Sequence, residues 1–392
     1  MSEFRTIREL CSVVVDCPHS TPKWTANGKI VIRNKNIKHG KIDFSSPSYT
    51  DDEHFAQRIK RAKPQPGDII ITREAPIGDV GMIPENTECC LGQRMVLLRA
   101  NQSVCDNFYL LYSLQSLYVQ HQISWSEGTG TTVSNLRIPH LEQIQIPYLP
   151  LEQQAKISSV LRALEEKIEN NRRLNDNLQQ QLFSLYENMA TASPCLKEYT
   201  LSNLCDFQEG YVNPPQTHPE YFDGEVKWLR AVDINESFII ETSRTLTKAG
   251  FESAKKSALL FEPNTIAISK SGTIGRLGII ADYMCGNRAV INIAPHDTNM
   301  LAFIYCFLKS KQREFPDMAV GSVQKNLYVS LLEPLSVSIP DNESLTAFNA
   351  VGASILGMIH NNCVENTDLA NLRDTILPKL MSGEIDVSSV LL

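Results

Sequence analysis

Three short motifs look reactive at first sight, and none of them completes a catalytic set. Asn213-Pro214-Pro215-Gln216 has the outline of an amino-methyltransferase signature. That chemistry needs an aromatic residue in the last place to stack on the target base, and Gln216 cannot supply one. No F-x-G-x-G accompanies it to hold a methyl donor. Gly272, Gly275 and Gly278 are spaced by three, not in the G-x-G-x-x-G pattern that cradles a dinucleotide. Gly128-Thr129-Gly130-Thr131-Thr132 lacks the Lys-Ser/Thr that completes a phosphate loop. Both read as turns. The ten cysteines form no C-x-x-C pair and no Cys/His cluster at zinc spacing, so they read as reduced, mostly buried thiols. The eight histidines are scattered, with no Ser/His or Cys/His dyad and no Asp/Glu plus Lys nuclease cluster. The chain is expected to catalyse nothing and to bind no metal or cofactor itself.

What remains is recognition chemistry. Reading DNA takes Arg for guanine, Asn or Gln for adenine, and Lys or hydroxyls for phosphate, carried on loops that reach base edges. In the first half of the chain such loops hold Arg33, Asn34, Lys35 and Asn36, then Thr72 and Arg73, then Arg94, then Thr129, Thr131 and Thr132. In the second half the counterparts are Arg230, then Lys270, Ser271, Thr273 and Arg276, then Arg288, then Ser322, Gln324 and Lys325. Any one of these could equally be a solvated or salt-bridged surface side chain. Arg94 and Arg288, each near a glycine, could instead be structural. Trp24, Tyr211 and Trp228 could stack or wedge at DNA, although an aromatic in a domain this size is more often core.

The chain that must position these residues has 392 residues, 42% hydrophobic and 21% charged, enough for two domains of ordinary size. No stretch approaches the roughly 18 apolar residues that cross a bilayer, and the opening MSEFRTIREL lacks the apolar core of a secretion signal, so a cytoplasmic location is expected. The net charge of −7 is unevenly spread. Residues 1–150 hold 16 Lys+Arg against 15 Asp+Glu, and residues 194–340 hold 14 against 16. Residues 341–392 hold 2 against 7, so the acid excess lies mainly there and leaves both large segments free to face nucleic acid.

The two large segments are copies. At an offset of 197, Arg33 falls on Arg230, Ile37 on Ile234, Pro66 on Pro263, Ile77-Gly78 on Ile274-Gly275 and Gly81 on Gly278. The offset drifts to 194 (Gly92 on Gly286, Arg94 on Arg288) and then to 191 (Asn135-Leu136 on Asn326-Leu327, Leu141 on Leu332). Each copy opens with β-type runs, DIIIT at 68–72 and RMVLL at 94–98, or TIAIS at 265–269 and AVINI at 289–293. A helical stretch follows, at 107–123 or 299–315. That predicts mixed α/β (α+β) domains over 1–150 and 194–340, followed by helices over 151–193 and 341–392.

The first of these helices has no Gly or Pro over 151–192, and a heptad seam runs through Ile157, Leu161, Leu164, Ile168, Asn171, Asn175, Leu178, Leu182, Leu185 and Met189. Shifted by 191, the second seam is Phe348, Gly352, Ile355, Ile359, Asn362, Asn366, Leu369, Arg373, Ile376 and Leu380. Gly352, Gly357 and Pro378 predict a weaker or kinked rod there. Asparagine in a seam costs stability but fixes register, so the matched pairs predict mutual packing. Run antiparallel, Asn171 meets Asn366 and Asn175 meets Asn362. The alternative is that each helix packs only on its own α/β domain. Forty helical residues extend about 60 Å, room for one or more turns of B-DNA at about 34–36 Å each.

With these parts in view, the chain resembles the specificity subunit of type I restriction-modification systems over essentially its whole length. The carriers are GDIIITREAPIGDVGMI (67–83) echoed by NTIAISKSGTIGRLGII (264–280), IPYLPLEQQAKISSVLRALEEKI (146–168), and ILPKLMSGEI (376–385). The resemblance implies two pseudo-symmetric target recognition domains separated by two long antiparallel helices in a coiled coil, each domain reading one half of a split double-stranded DNA site. It also implies two methylation subunits and motor-nuclease restriction subunits as partners, with S-adenosylmethionine, ATP and Mg on those partners rather than on this chain. The rival reading is a coiled-coil scaffold for protein interaction that reads no DNA sequence.

Overall fold

The computed structural model describes residues 3–38, 40–125, 135–192, 197–322 and 324–390, and the chain divides into two units, Met1–Glu166 with Leu369–Leu392, and Lys167–Asp368. The β-type runs become strands because they are rich in branched residues and are buried on both faces: Ile69–Thr72, Met95–Ala100, Ile266–Ser269 and Val290–Pro295.

In the first unit an antiparallel sheet runs Cys11–Asp16, Met95–Ala100, Ile69–Thr72, Val80–Met82. A second sheet runs Ser48–Thr50, Lys29–Ile32, Cys89–Leu91, with the last two parallel. Glu3–Thr6 pairs with Gln145–Tyr148 and ties the start of the domain to the strand that leads into the long helix. The second unit repeats the plan. Its main sheet runs Cys205–Glu209, Val290–Pro295, Ile266–Ser269, Leu277–Ile280, Phe238–Ile239. Its smaller sheet runs Thr245–Leu246, Phe222–Leu229, Met284–Gly286, Leu260–Phe261, again with a parallel pair at the centre, and Lys197–Thr200 pairs with Ser336–Ile339. The duplication read from spaced identities is thus a duplication of topology.

The expected helix at 107–123 is two helices, Asn107–Gln115 and Leu117–Trp125, and that at 299–315 becomes Leu301–Lys311 and Phe315–Met318. Ser116 makes the first break: it is extended, and its hydroxyl accepts from Val119 N–H at the start of the next helix.

The long helices run Leu151–Ala192 and Asn342–Met381. The second runs unbroken through Gly352, Gly357 and Pro378, so the expected weak point does not interrupt it. Gly352 has a packing reason, because a Cβ there would sit 2.6 Å from Ala302 Cβ. In the second unit Asn171 Nδ2 donates to Asn366 Oδ1 (3.0 Å) and to Glu365 Oε2 (2.6 Å), and Asn362 Nδ2 donates to Asn175 Oδ1 (2.8 Å). The antiparallel asparagine pairing is the one anticipated. Leu178, Leu182, Ile355 and Ile359 are buried with it, alongside Phe303 and Ile304 of the α/β domain. In the first unit Ile157, Leu161, Leu380 and the half-buried Ile376 share a cluster with Ile7 and Tyr109. The helices therefore pack on each other as well as on the α/β domains, and packing of each helix only on its own domain is overturned: Leu178 and Leu182 of the first helix share a cluster with Phe303 and Ile304 of the second domain. Ile168 is buried, and Leu164, Leu369, Asn362 and Asn366 are half-buried.

One seam position is corrected. Leu185 is 42% exposed, and Tyr186 takes its place, against Phe303 and Phe348. A 3.6-residue helix drifts off a strict 3.5 repeat, and a 4,4 step from Leu178 through Leu182 to Tyr186 follows that drift. At Arg373 the seam gives way to charge: its guanidinium lies 3.6 Å from Glu165 and 2.7 Å from Asp374.

Candidate nucleic-acid interface

In the first unit, polar residues converge where the strands end. Arg33 closes Lys29–Ile32 and its N–H donates to Asn36 Oδ1 (2.9 Å), while Asn36 Nδ2 donates to Asp43 O (2.9 Å). The guanidinium of Arg33 lies 5.0 Å from the ring centroid of exposed Trp24, a cation–π contact. Asn34 donates to Glu74 O (2.6 Å), and its Oδ1 is buried without a partner. Lys35 Nζ reaches Ser46 Oγ (3.2 Å). Arg94 adopts φ +66, a left-handed conformation that costs a non-glycine residue about 1 kcal/mol, and its Nε lies 3.2 Å from Glu74. Trp24, Arg33, Asn34, Lys35, Gln93 and Arg94 line one groove of about 310 Å³. Three cations on its rim meet one paired carboxylate.

Several expected readers are structural instead. Asn36 is buried and spends its amide locking the Arg33 turn. Thr72 is fully buried, and its hydroxyl accepts from Asp79 N–H (2.9 Å) to close the 73–78 turn, as Ser269 does for Arg276 N–H (2.8 Å). Arg73 places Nη1 2.9 Å from both oxygens of Asp16, Nε 2.8 Å from Leu136 O and Nη2 3.2 Å from Asn135. Lys270 does the same in the second unit, with Nζ 2.8 Å from Glu209 and 4.8 Å over the Tyr328 ring. Burial pushes the Glu209 carboxyl up, but the hydrogen bonds from Lys270 and Tyr211 outweigh it and hold the group below the usual range. The two ion pairs occupy equivalent places, since Arg73 O accepts from Leu136 N–H and Lys270 O from Leu327 N–H. Both cationic side chains are nearly buried, 12% and 13% exposed, and are spent on the fold.

The second unit keeps a different set available. Thr273 and Arg288 are exposed, Ser271 and Arg276 half-buried. Ser322, Gln324 and Lys325 are exposed on a loop closed by the Val320–Asn326 bridge. Arg230 donates to Ser243 (2.5 Å), lies 5.6 Å over Trp228, and has a buried Nε that makes no hydrogen bond, 3.7 Å from Asp233 Oδ2. Trp228 itself is core, its ring N–H donating to Val212 O. Tyr211 is half-exposed and donates to Glu209 (2.7 Å). Thr129, Thr131 and Thr132 lie outside the described residues.

Sequence reasoning missed Arg244, Gln93 and Gln216. Arg244 stacks 4.2 Å over Phe222 and donates to Gln216 (3.1 Å), so the Asn-Pro-Pro-Gln segment ends in the same polar cluster as Arg230. No local signal marks Arg244. Gln93 was hidden by an alignment slip. Leu91 pairs with Ile32 as Gly286 pairs with Leu229, and Arg73 N–H donates to Arg94 O as Lys270 N–H donates to Ala289 O. The offset here is therefore 195, which sets Gln93 against Arg288 and Arg94 against Ala289, one residue from the correspondence that matching glycines and arginines favour.

Nine cysteines are described and all are free thiols. Burial pushes those of Cys11, Cys89 and Cys285 up to about 12 and that of Cys90 to about 11, too high for a nucleophile. Among the described residues no group of His, Cys, Asp or Glu could hold a metal ion, and no helix is long and apolar enough to cross a membrane.

The profile of the family described as "Type I restriction modification DNA specificity domain" matches residues 3–180 and 196–367. The Type I restriction enzyme MjaIX specificity subunit of Methanocaldococcus jannaschii is 25% identical over 346 residues, 83% of this chain and 79% of that protein. The Type I restriction enzyme HindI specificity subunit of Haemophilus influenzae is 27% identical over 176 residues, 44% of this chain and 38% of that protein. The crystal structure of a type I restriction-modification S subunit from M. genitalium shares the fold, with a TM-score of 0.56 at 20% identity over 97% of this chain and 96% of that one.

Proposed function

Because this chain belongs to the family of type I restriction-modification DNA specificity subunits, non-catalytic proteins that carry sequence specificity, we propose that each of its units reads one half of a split DNA site through the polar rim at its strand ends. The observation that carries this reading is the duplication: the same two sheets and the same buried ion pair, Arg73–Asp16 and Lys270–Glu209, are built twice, while the exposed residues around them differ. A scaffold repeated for support alone has no need to vary its exposed rim.

In this reading the reader set is Arg33, Lys35 and Arg94 in the first unit, and Arg230, Thr273, Arg276, Arg288 and the Ser322, Gln324, Lys325 loop in the second. The long helices are the spacer, and they with the acidic 341–392 segment receive two methylation subunits, to which restriction subunits add cleavage. S-adenosylmethionine, ATP and Mg belong to those partners, and the assembly works in the cytoplasm. Phosphate contacts position the chain and make affinity fall with salt, while a few contacts worth about 1–3 kcal/mol each specify bases.

The test is selection from randomised duplexes by the chain with its methylation subunit. Enrichment of a bipartite sequence supports the reading, and no enrichment would leave the scaffold. Arg94→Gly, chosen because glycine accepts the +66 φ, is expected to relax one base position in one half-site and leave the other half unchanged. Equal loss at both halves would mean that Arg94 is not a local reader. Seven residues inserted into each long helix keep the seam facing inward and add about 10.5 Å, so the unread gap should grow by about three base pairs. An unaltered gap would end the spacer role.

A further inference from the structure

We propose that the turn position held by Gln93 in the first unit and by Arg288 in the second is where the two half-sites are made to differ: Arg288 takes a guanine, and Gln93 takes a base bearing a major-groove amine, adenine or cytosine. The inference rests on the DNA-reading function above and assigns chemistry to one position within it.

The equivalence is fixed by backbone hydrogen bonds. Gly92 N–H donates to Ile32 O and Asn287 N–H to Leu229 O, each 2.8 or 2.9 Å. On the far side Met95 pairs with Thr72 and Val290 with Ser269. Three residues span the turn in each copy, and the middle one is Gln93 or Arg288. Both are therefore mounted between two anchored strand ends, next to Arg33 in one unit and Arg230 in the other. Rigid mounting of this kind serves base readout, which needs a defined direction, more than phosphate contact, which does not.

The two side chains offer opposite hydrogen-bonding faces. Arg288 is exposed and makes no hydrogen bond or ion pair among the described residues, so its whole donor fork is free. Lys270 and Lys227, by contrast, are consumed by Glu209 and by Glu241 with Asp282. A free guanidinium matches the two major-groove acceptors of guanine, N7 and O6. Gln93 donates one Nε2 hydrogen to His19 O, and its amide oxygen has no partner among the described residues. An acceptor selects the bases that present a major-groove amine, adenine through N6 and cytosine through N4, and is repelled by guanine and thymine acceptors.

The experiment uses the full chain with its methylation subunit, selecting from duplexes randomised in both half-sites, for the unchanged chain and for Arg288→Gln and Gln93→Arg. Arg288→Gln should lower guanine preference at one position of one half-site by roughly 5- to 150-fold, the span of a single bidentate contact. The other half-site should stay as it was. Gln93→Arg should install a guanine preference in the half-site that Arg288→Gln leaves alone. Guanine retained at every position with Arg288→Gln overturns the proposal. So does a uniform weakening over all sequences with a salt slope smaller by about one, which marks a phosphate contact. If the unchanged chain enriches no bipartite sequence, the DNA-reading function itself fails, an outcome distinct from a wild-type consensus that the substitutions leave unmoved.

Discussion

Arg73→Ala is expected to destabilise the first unit by about 3–5 kcal/mol and to abolish reading of one half-site as a whole. The size follows from what the side chain holds. It lies 12% exposed, faces both oxygens of Asp16, and donates to Leu136 O and Asn135 Oδ1, so one residue joins the edge strand Cys11–Asp16, the end of Ile69–Thr72 and the Asn135-Leu136 pair. Removing it leaves the Asp16 carboxylate, 13% exposed, without its guanidinium, and breaking one side of a buried pair costs about 3–5 kcal/mol. Lys270→Ala should cost the second unit less, because Lys270 makes one ion contact and one ring contact where Arg73 makes four hydrogen bonds. Denaturant unfolding with base selection in parallel distinguishes the roles. A folded Arg73→Ala chain with changed preference at a single base would mean that Arg73 reads DNA, contrary to its geometry.

That same residue shows where sequence reading ran out. The pattern of branched runs, glycines and a Gly-free, Pro-free stretch sufficed for two α/β domains and two long helices, because burial and periodicity are local properties written in composition. The asparagine pairing was legible for a related reason: at constant helical rise, two matched seams have a definite antiparallel register. Whether an arginine faces solvent or a carboxylate is not local. Arg73 and Arg94 sit 21 positions apart in loops of similar polarity, yet one is held 12% exposed against Asp16 and the other, beside Glu74, stays 58% exposed on a groove. Nothing near Arg73 announces Asp16, which comes from a strand 57 residues earlier. The slip that paired Arg94 with Arg288 has the same origin. Identity of type outweighed strand register until the hydrogen bonds of Gly92 and Asn287 fixed the true correspondence.

The asparagine ladder predicts opposite signs for single and double substitution. Asn362 Nδ2 donates to Asn175 Oδ1 at 2.8 Å, and Asn175 in turn reaches Cys363 Sγ (3.4 Å) and Ile359 O (3.5 Å). Asn175→Leu alone leaves the Asn362 amide facing a hydrocarbon, and an unsatisfied buried donor costs about 1–3 kcal/mol. Asn175→Leu with Asn362→Leu removes both polar groups and packs leucine between Leu178 and Ile359, neighbours that are already apolar. The pair together should therefore be nearly neutral or stabilising. A double-mutant cycle on unfolding of the chain should return a coupling energy well above 1 kcal/mol, whereas additivity of the two single changes would mean that these amides do not bond to each other. The gain in stability has a cost in uniqueness. Asn171 and Asn366 still bond in the doubly substituted chain and hold the register, so only with all four asparagines replaced by leucine does the seam accept a one-heptad slip, since slipping then strands no amide. If the helices set the distance between half-sites, the chain with Asn171, Asn175, Asn362 and Asn366 all replaced by leucine should select sites with more than one gap length while reading each half as before. A single sharp gap from that variant would show that the α/β domains, through their own packing on the helices, hold the register without the ladder.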